Sequence, residues 1–139
     1  MSKFTEIADA FQSVDAEDRL DVLLDYADRL PDLPHELAAV RDSGLHQVHE
    51  CQSPVFLYVT VDGEVRIFGD VPREAPTARS FVAILIDAFD GTAPADVLAA
   101  PADPLRALGL DQLIGMQRTR GLSAVYGKLR STVAAGGME

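Results

Sequence analysis

Two hydrophobic periods alternate along this chain. After Asp15, with Asp18 three residues on, Leu20, Leu23, Leu24, Ala27 and Leu30 recur at helical spacing until Pro31, which predicts a helix capped by Asp15 and stopped by the proline. A shorter helix is expected around Ile7 to Phe11, and Pro34 opens another through Val40 before Gly44 resets the chain. The period then changes. Val55 to Val61 is apolar and rich in β-branched and aromatic residues, Asp62-Gly63 is a two-residue hairpin signal, and Glu64 to Phe68 alternates polar with apolar. Gly44 to Val48 supplies a third strand, which leaves Cys51 on the connecting loop. Pro76 opens a helix closed by Gly91, and its apolar residues cover so much of the circumference that burial is required, across the sheet. Short helices follow at Pro94 to Leu98 and Pro104 to Leu108, with a break at Leu108-Gly109-Leu110. Arg120 to Val133 forms the last helix, carrying Leu122, Val125, Tyr126 and Leu129. The expectation is one α+β domain over residues 1–134, a small antiparallel sheet of about three strands packed against several helices. Residues 135–139 are expected to form a mobile C-terminal tail.

Composition adds limits. The 139 residues suit a single domain with a real core, and 47% hydrophobic with 24% charged content is that of a globular rather than a disordered chain. No apolar run reaches the length of a membrane span, and Met1-Ser2-Lys3-Phe4-Thr5-Glu6 lacks the apolar stretch of a signal peptide. A cytoplasmic location without membrane association is therefore expected, and a single unpaired cysteine agrees with it. The formal net charge of −10 argues against nucleic acid as a partner. Acids crowd the first third of the chain, whereas Gln112 to Met138 holds Arg118, Arg120, Lys128 and Arg130 and no acid, so the folded molecule can carry a polarised field.

Several chemistries lack their motifs. The scattered glycines match neither a phosphate loop nor a dinucleotide fingerprint, and no Gly-x-Ser-x-Gly elbow is present. His46, His49 and Cys51 place three possible metal ligands in one short segment, but a structural zinc site usually takes four, and the remaining histidine, His35, is remote. No metal and no cofactor is expected. What remains is Cys51 itself, in the polar turn His49-Glu50-Cys51-Gln52-Ser53-Pro54. A free cysteine on a turn is either a reactive thiol or a small packed hydrophobe. Backbone N–H groups of the turn, an imidazole from His46 or His49, or an arginine such as Arg118 or Arg120 would each assist ionisation.

At this point the order of short segments resembles the SufE family of sulfur acceptor proteins. The matching residues are Leu23-Leu24-Asp25-Tyr26, Arg29-Leu30-Pro31-Asp32-Leu33-Pro34, Cys51-Gln52-Ser53 with an aromatic soon after, Gly69-Asp70, Leu110-Asp111-Gln112, and Arg118-Thr119-Arg120-Gly121-Leu122 leading into the last helix. The resemblance spans about Leu20 to Arg130 and implies a SufE/IscU-like fold. It further implies that Cys51 takes persulfide sulfur from a SufS-type cysteine desulfurase, stimulates that enzyme, and passes the sulfur to iron–sulfur cluster assembly by a downstream Suf cluster scaffold complex. The pyridoxal phosphate belongs to the desulfurase, and the acceptor works as a transfer partner rather than a stand-alone enzyme. Asp70 and Arg118 match family positions and are expected, with His49, Gln52, Ser53 and Arg120, in the thiol environment or at the partner interface. The chemistry is coherent with one cysteine, because a second thiol nearby would attack the persulfide and discharge the carrier.

The chain departs from the family pattern at three positions. Glu50 stands where glycine is common, and its charge beside the thiol raises the thiol pKa. Phe56 replaces a tryptophan, and Leu113 replaces a histidine. Two other readings compete: a non-catalytic protein-binding module in which Cys51 is packed, and an IscU-like cluster scaffold, which usually employs three cysteines against one here.

Overall fold

Prolines and glycines break the chain into the elements expected of them. In the computed structural model, residues 2–137 are described. Helices α1 (Lys3–Gln12) and α2 (Ala16–Asp25) lead through a 3₁₀ turn at Tyr26–Arg29 to the Leu30-Pro31 stop, and a second 3₁₀ turn at His35–Leu37 runs into α3 (Ala38–Asp42). Strands β1 (Gln47–Val48), β2 (Val55–Asp62) and β3 (Glu64–Asp70) follow, then α4 (Pro76–Phe89), α5 (Pro94–Leu98), α6 (Pro104–Ala107) and α7 (Met116–Ala134). The fold class is α+β, as expected from the pattern.

The sheet is antiparallel in the order β1-β2-β3, with Val48 opposite Val55, Tyr58 opposite Phe68 and Asp62 opposite Glu64. The expected two-residue turn is tighter than its signal. Asp62 and Glu64 already pair, leaving Gly63 alone at the bend with φ +75°, a conformation open to glycine. One face of the sheet is the core face: Val55, Leu57 and Val59 from β2 and Val65 and Ile67 from β3 join one cluster with Phe81, Ile84 and Leu85 of α4 and Val125 and Leu129 of α7. Alternation puts Phe56, Tyr58 and Phe68 on the other face, where their rings follow one another at 6.5 and 6.3 Å between centroids. The outer edge of β3 is covered, since Val65 N–H donates to the Thr92 carbonyl, Gly91 N–H to the Val65 carbonyl, and Ile67 N–H to the Asp90 carboxylate.

Four local expectations are revised. Asp15 occupies the N-cap position of α2, but its side chain makes no capping bond; its carbonyl accepts from Asp18 and Arg19. Of the α2 leucines, Leu23 is buried while Leu20 and Leu24 are 37% and 41% exposed, because only one stripe of this helix meets the core. The last helix begins at Met116, a turn before the expected Arg120, and so places Arg118 and Arg120 within its first turns. Of the expected tail, Ala135, Gly136 and Gly137 donate N–H bonds back to the last turn of α7, and Met138 and Glu139 lie outside the described residues. Arg79 of α4, which the sequence does not single out, is buried and joins the 3₁₀ turn at Tyr26–Arg29 to the segment after β3, donating to the carbonyls of Ala27 and Val71 at 3.0 and 2.7 Å. None of the described helices is long and apolar enough to cross a membrane.

Candidate functional site

The pairing of Val48 with Val55 closes a loop of residues 49–54, and Cys51 sits on it facing back toward α7. Pro54 and Ser53 return the chain into β2, while His49, Glu50 and Gln52 are exposed to solvent. Cys51 is the free thiol. It is neither fully packed nor open: it is half-buried, packs against the core cluster, and its Sγ donates to the Gly121 carbonyl oxygen at 3.4 Å. That distance is ordinary for a sulfur donor, which is larger and weaker than N–H.

The close approach depends on a missing side chain. A Cβ at position 121 would lie 3.2 Å from Cys51 Sγ, 3.3 Å from Cys51 Cα and 3.4 Å from the Glu50 carbonyl oxygen. Gly121 therefore lets the loop seat directly on the helix. Glycine inside a helix costs roughly 1 kcal/mol relative to alanine, so a glycine in the second turn of a 19-residue helix marks such a contact. In the sequence, Gly121 is visible only as part of the Arg118-Thr119-Arg120-Gly121-Leu122 motif; its place inside a helix is the signal that points to close packing.

Beside the thiol lies a pocket of about 230 Å³. Its walls come from three places: Cys51, Gln52 and Ser53 on the loop, Glu74 to Ala78 at the start of α4, and Gln117, Arg118, Gly121 and Leu122 on α7. Two helix beginnings thus converge on one sulfur, and the walls combine apolar carbons with one acid and one guanidinium. The segment Glu74 to Ala78 is not foreseeable from sequence, since nothing local says that the β3–α4 connection folds over the cysteine loop.

The remaining expected residues divide. Gln52, Ser53 and Arg118 line the pocket. Arg120 is exposed on α7 and does not line it, and neither does the exposed His49. Asp70 is also elsewhere: it ends β3 on the outer face of the sheet and pairs with Arg41 at 2.9 Å, in a separate recess with Gln47 and Phe56. Alternation along β3 explains this, because Gly69 faces α4 and its neighbour must face away. Among the described residues, no group of three or more histidine, cysteine, aspartate or glutamate side chains is placed to hold a metal ion. His46, one of the two imidazoles considered as an aid to ionisation, meets the edge of Tyr58 at 5.2 Å between centroids.

The electrostatics oppose ionisation. Burial is the main cause pushing the Cys51 thiol above its ordinary value, and the Glu50 carboxylate adds to it. Lys128, part-buried on α7, is pushed down by its own burial and partly restored by Glu50, and His46 is pushed down by burial and by Lys128. Glu50 therefore faces two ways, unfavourable to the thiolate and favourable to the lysine. At rest the site holds a neutral thiol, in van der Waals reach of a helix and next to a cavity large enough to accept an additional sulfur atom.

Comparison with known proteins places this arrangement among relatives. Residues 5–133 match the family model for SufE, described as an Fe-S metabolism associated domain. Uncharacterised SufE-like proteins from two strains of Mycobacterium tuberculosis are 41% identical over 127 residues, covering 90% of this chain and 87% of theirs. The sulfur acceptor protein CsdE of Escherichia coli is 31% identical over 112 residues, 78% of this chain and 72% of that protein. The solution structure of a hypothetical protein from Thermus thermophilus superposes with a TM-score of 0.82 at 34% identity, covering 98% of both chains. A match of this extent, carried by both sequence and fold, identifies the chain as a member of the SufE family.

Proposed function

We propose that this protein is a cytoplasmic sulfur acceptor that takes persulfide sulfur from a SufS-type cysteine desulfurase onto Cys51 and delivers it to a Suf cluster scaffold complex. The observation that carries the reading is a half-buried lone thiol on a strand-connecting loop, beside a pocket, in a chain of the SufE family. The name of the CsdE relative supports it. In the proposed step the Cys51 thiolate attacks the terminal sulfur of the enzyme's persulfide. A new S–S bond forms at Cys51 Sγ, the old one breaks, and the electron pair leaves with the enzyme's cysteine thiolate. One disulfide-type bond replaces another, so the exchange requires neither an oxidant nor a reductant, and the pyridoxal phosphate that generates the persulfide stays in the desulfurase.

The raised thiol pKa explains why such a protein needs its partner. A neutral thiol is a poor nucleophile, so the free acceptor is protected from casual oxidation and alkylation. Docking that draws the loop outward, toward a cation such as Arg118, produces the thiolate only where a donor waits. The test is sulfide release from cysteine by the desulfurase with and without this protein, followed by intact mass before and after reduction. Wild type is expected to stimulate release and to gain a reducible mass of about 32 Da, one sulfur atom. Cys51→Ser is expected to fold normally and to do neither. Equal stimulation by the serine variant would overturn the proposal in favour of a binding module.

A further inference from the structure

We infer that Gly121 is a positioning residue for sulfur acceptance: its carbonyl oxygen, left uncovered by any side chain, is a seat that holds Cys51 inward only while the sulfur carries a proton. The inference rests on the acceptor reading of Cys51 but concerns how the thiol is stored. Three contacts define the seat. Cys51 Sγ donates to Gly121 O at 3.4 Å, and the space a Cβ would fill is bounded by Cys51 Sγ, Cys51 Cα and the Glu50 carbonyl at 3.2, 3.3 and 3.4 Å. The three atoms that such a Cβ would meet first are the sulfur and backbone of the loop.

A carbonyl oxygen accepts a hydrogen bond from a thiol and repels a thiolate, since both then present lone pairs to one another. Loss of the proton therefore removes the attraction that seats the loop and replaces it with repulsion, so ionisation and release of the loop become one event. The same logic separates the two states of the carrier. After sulfur transfer, Cys51 Sγ is bonded to carbon and to the second sulfur and has no proton to donate. The empty carrier fits the seat and the loaded one does not, which gives a scaffold or a desulfurase a structural difference to read. The charged groups around the thiol are Glu50 on its own loop, Glu74 on the β3–α4 connection and Arg118 on α7, the last two on the pocket wall, with Lys128 of α7 acting on Glu50. Of these, Glu50 opposes release by ionisation, while Arg118, on the pocket wall, favours a thiolate that has left the seat.

Two substitutions on one helix separate the seat from helix propensity. Gly121→Ala places a methyl against Cys51, whereas a Cβ at Gly127 meets nothing within 4 Å. The rate of Cys51 alkylation by iodoacetamide, measured against pH in the full-length protein without desulfurase, is expected to shift to lower pH in Gly121→Ala. A fall of one in apparent pKa corresponds to about a tenfold faster reaction at pH 7. Gly127→Ala is expected to leave the profile of wild type unchanged. A second measurement needs no variant: because the chain has one cysteine, its infrared S–H stretching band belongs to Cys51 alone. The band is expected to be shifted to lower frequency in the folded protein relative to the chain unfolded in denaturant, as for a donating thiol. An unshifted band in the folded protein, or a Gly121→Ala profile identical to that of a folded wild type, would overturn the seat. Either result would leave sulfur acceptance itself to be judged by the mass measurement on Cys51→Ser.

Discussion

At the scale of single residues, the chemistry of the site is governed by what surrounds one sulfur. Burial and Glu50 both favour the protonated form. A thiol whose folded pKa is raised contributes stability that is fully present below its unfolded pKa and is lost as pH rises through the folded value. The stability difference between wild type and Cys51→Ser is therefore expected to shrink above the ordinary thiol pKa, measured by denaturant midpoints across alkaline pH. Glu50→Gln removes the second cause without altering size, so its alkylation profile is expected to move to lower pH than that of wild type; a shift upward would mean that Glu50 acts through Lys128 instead. Gln52 and Ser53 are legible as neighbours of Cys51 because they share its turn, whereas Arg118 is tied to the thiol in the sequence only by the family motif, since the start of α7 carries no local signal. Asp70, expected in the thiol environment or at the partner interface, pairs with Arg41 on the outer face of the sheet, because strand alternation decides the face.

Elements carry the next level of constraint. The central hairpin and α4 are readable from periodicity, since a continuous apolar run, a turn dipeptide and a nearly all-apolar helix each admit few alternatives. The start of α7 is not. Gly115 at its N-cap has no side chain to cap it, and Met116 to Thr119 have no apolar spacing, so local signals suggest a later beginning. Packing between elements is most demanding where α4 crosses β3. A Cβ on Gly69 would lie 2.5 Å from Cγ1 of the fully buried Val82. Gly69→Ala is expected to destabilise the fold by about 1–3 kcal/mol, the usual cost of overpacking, read as a lower denaturant midpoint with unchanged slope. No loss of stability would show that α4 yields at this crossing, and with it one wall of the cysteine pocket.

For the whole molecule, charge is distributed as the sequence indicates: the acidic segment forms α1, α2 and the 3₁₀ turns, and the basic segment is α7, which carries Arg118, Arg120, Lys128 and Arg130. A desulfurase that approaches the cysteine loop meets the start of α7. Stimulation is therefore expected to weaken as salt rises toward about 0.5 M, through a higher KM for the acceptor with little change in kcat, because screening acts on encounter between exposed charges. Arg118→Glu is expected to raise that KM even at low salt. A salt-independent KM would assign docking to apolar contact instead. Order along the chain could not reveal which side of α7 is exposed; in the fold Gly121 and Leu122 turn inward while Arg118 and Arg120 remain exposed.

The pairing of Val48 with Val55 also sets a leash. Cys51 is three residues from one anchor and four from the other, and a residue of extended chain spans at most about 3.5 Å, so the sulfur can travel only about 10 Å from the end of the sheet. Such a tether delivers a thiol at high local concentration within a small hemisphere and nowhere else. Whatever donates sulfur to this protein must thrust its own persulfide into that hemisphere, and a donor whose cysteine lies deep below its surface would have to extend a loop of its own to meet it.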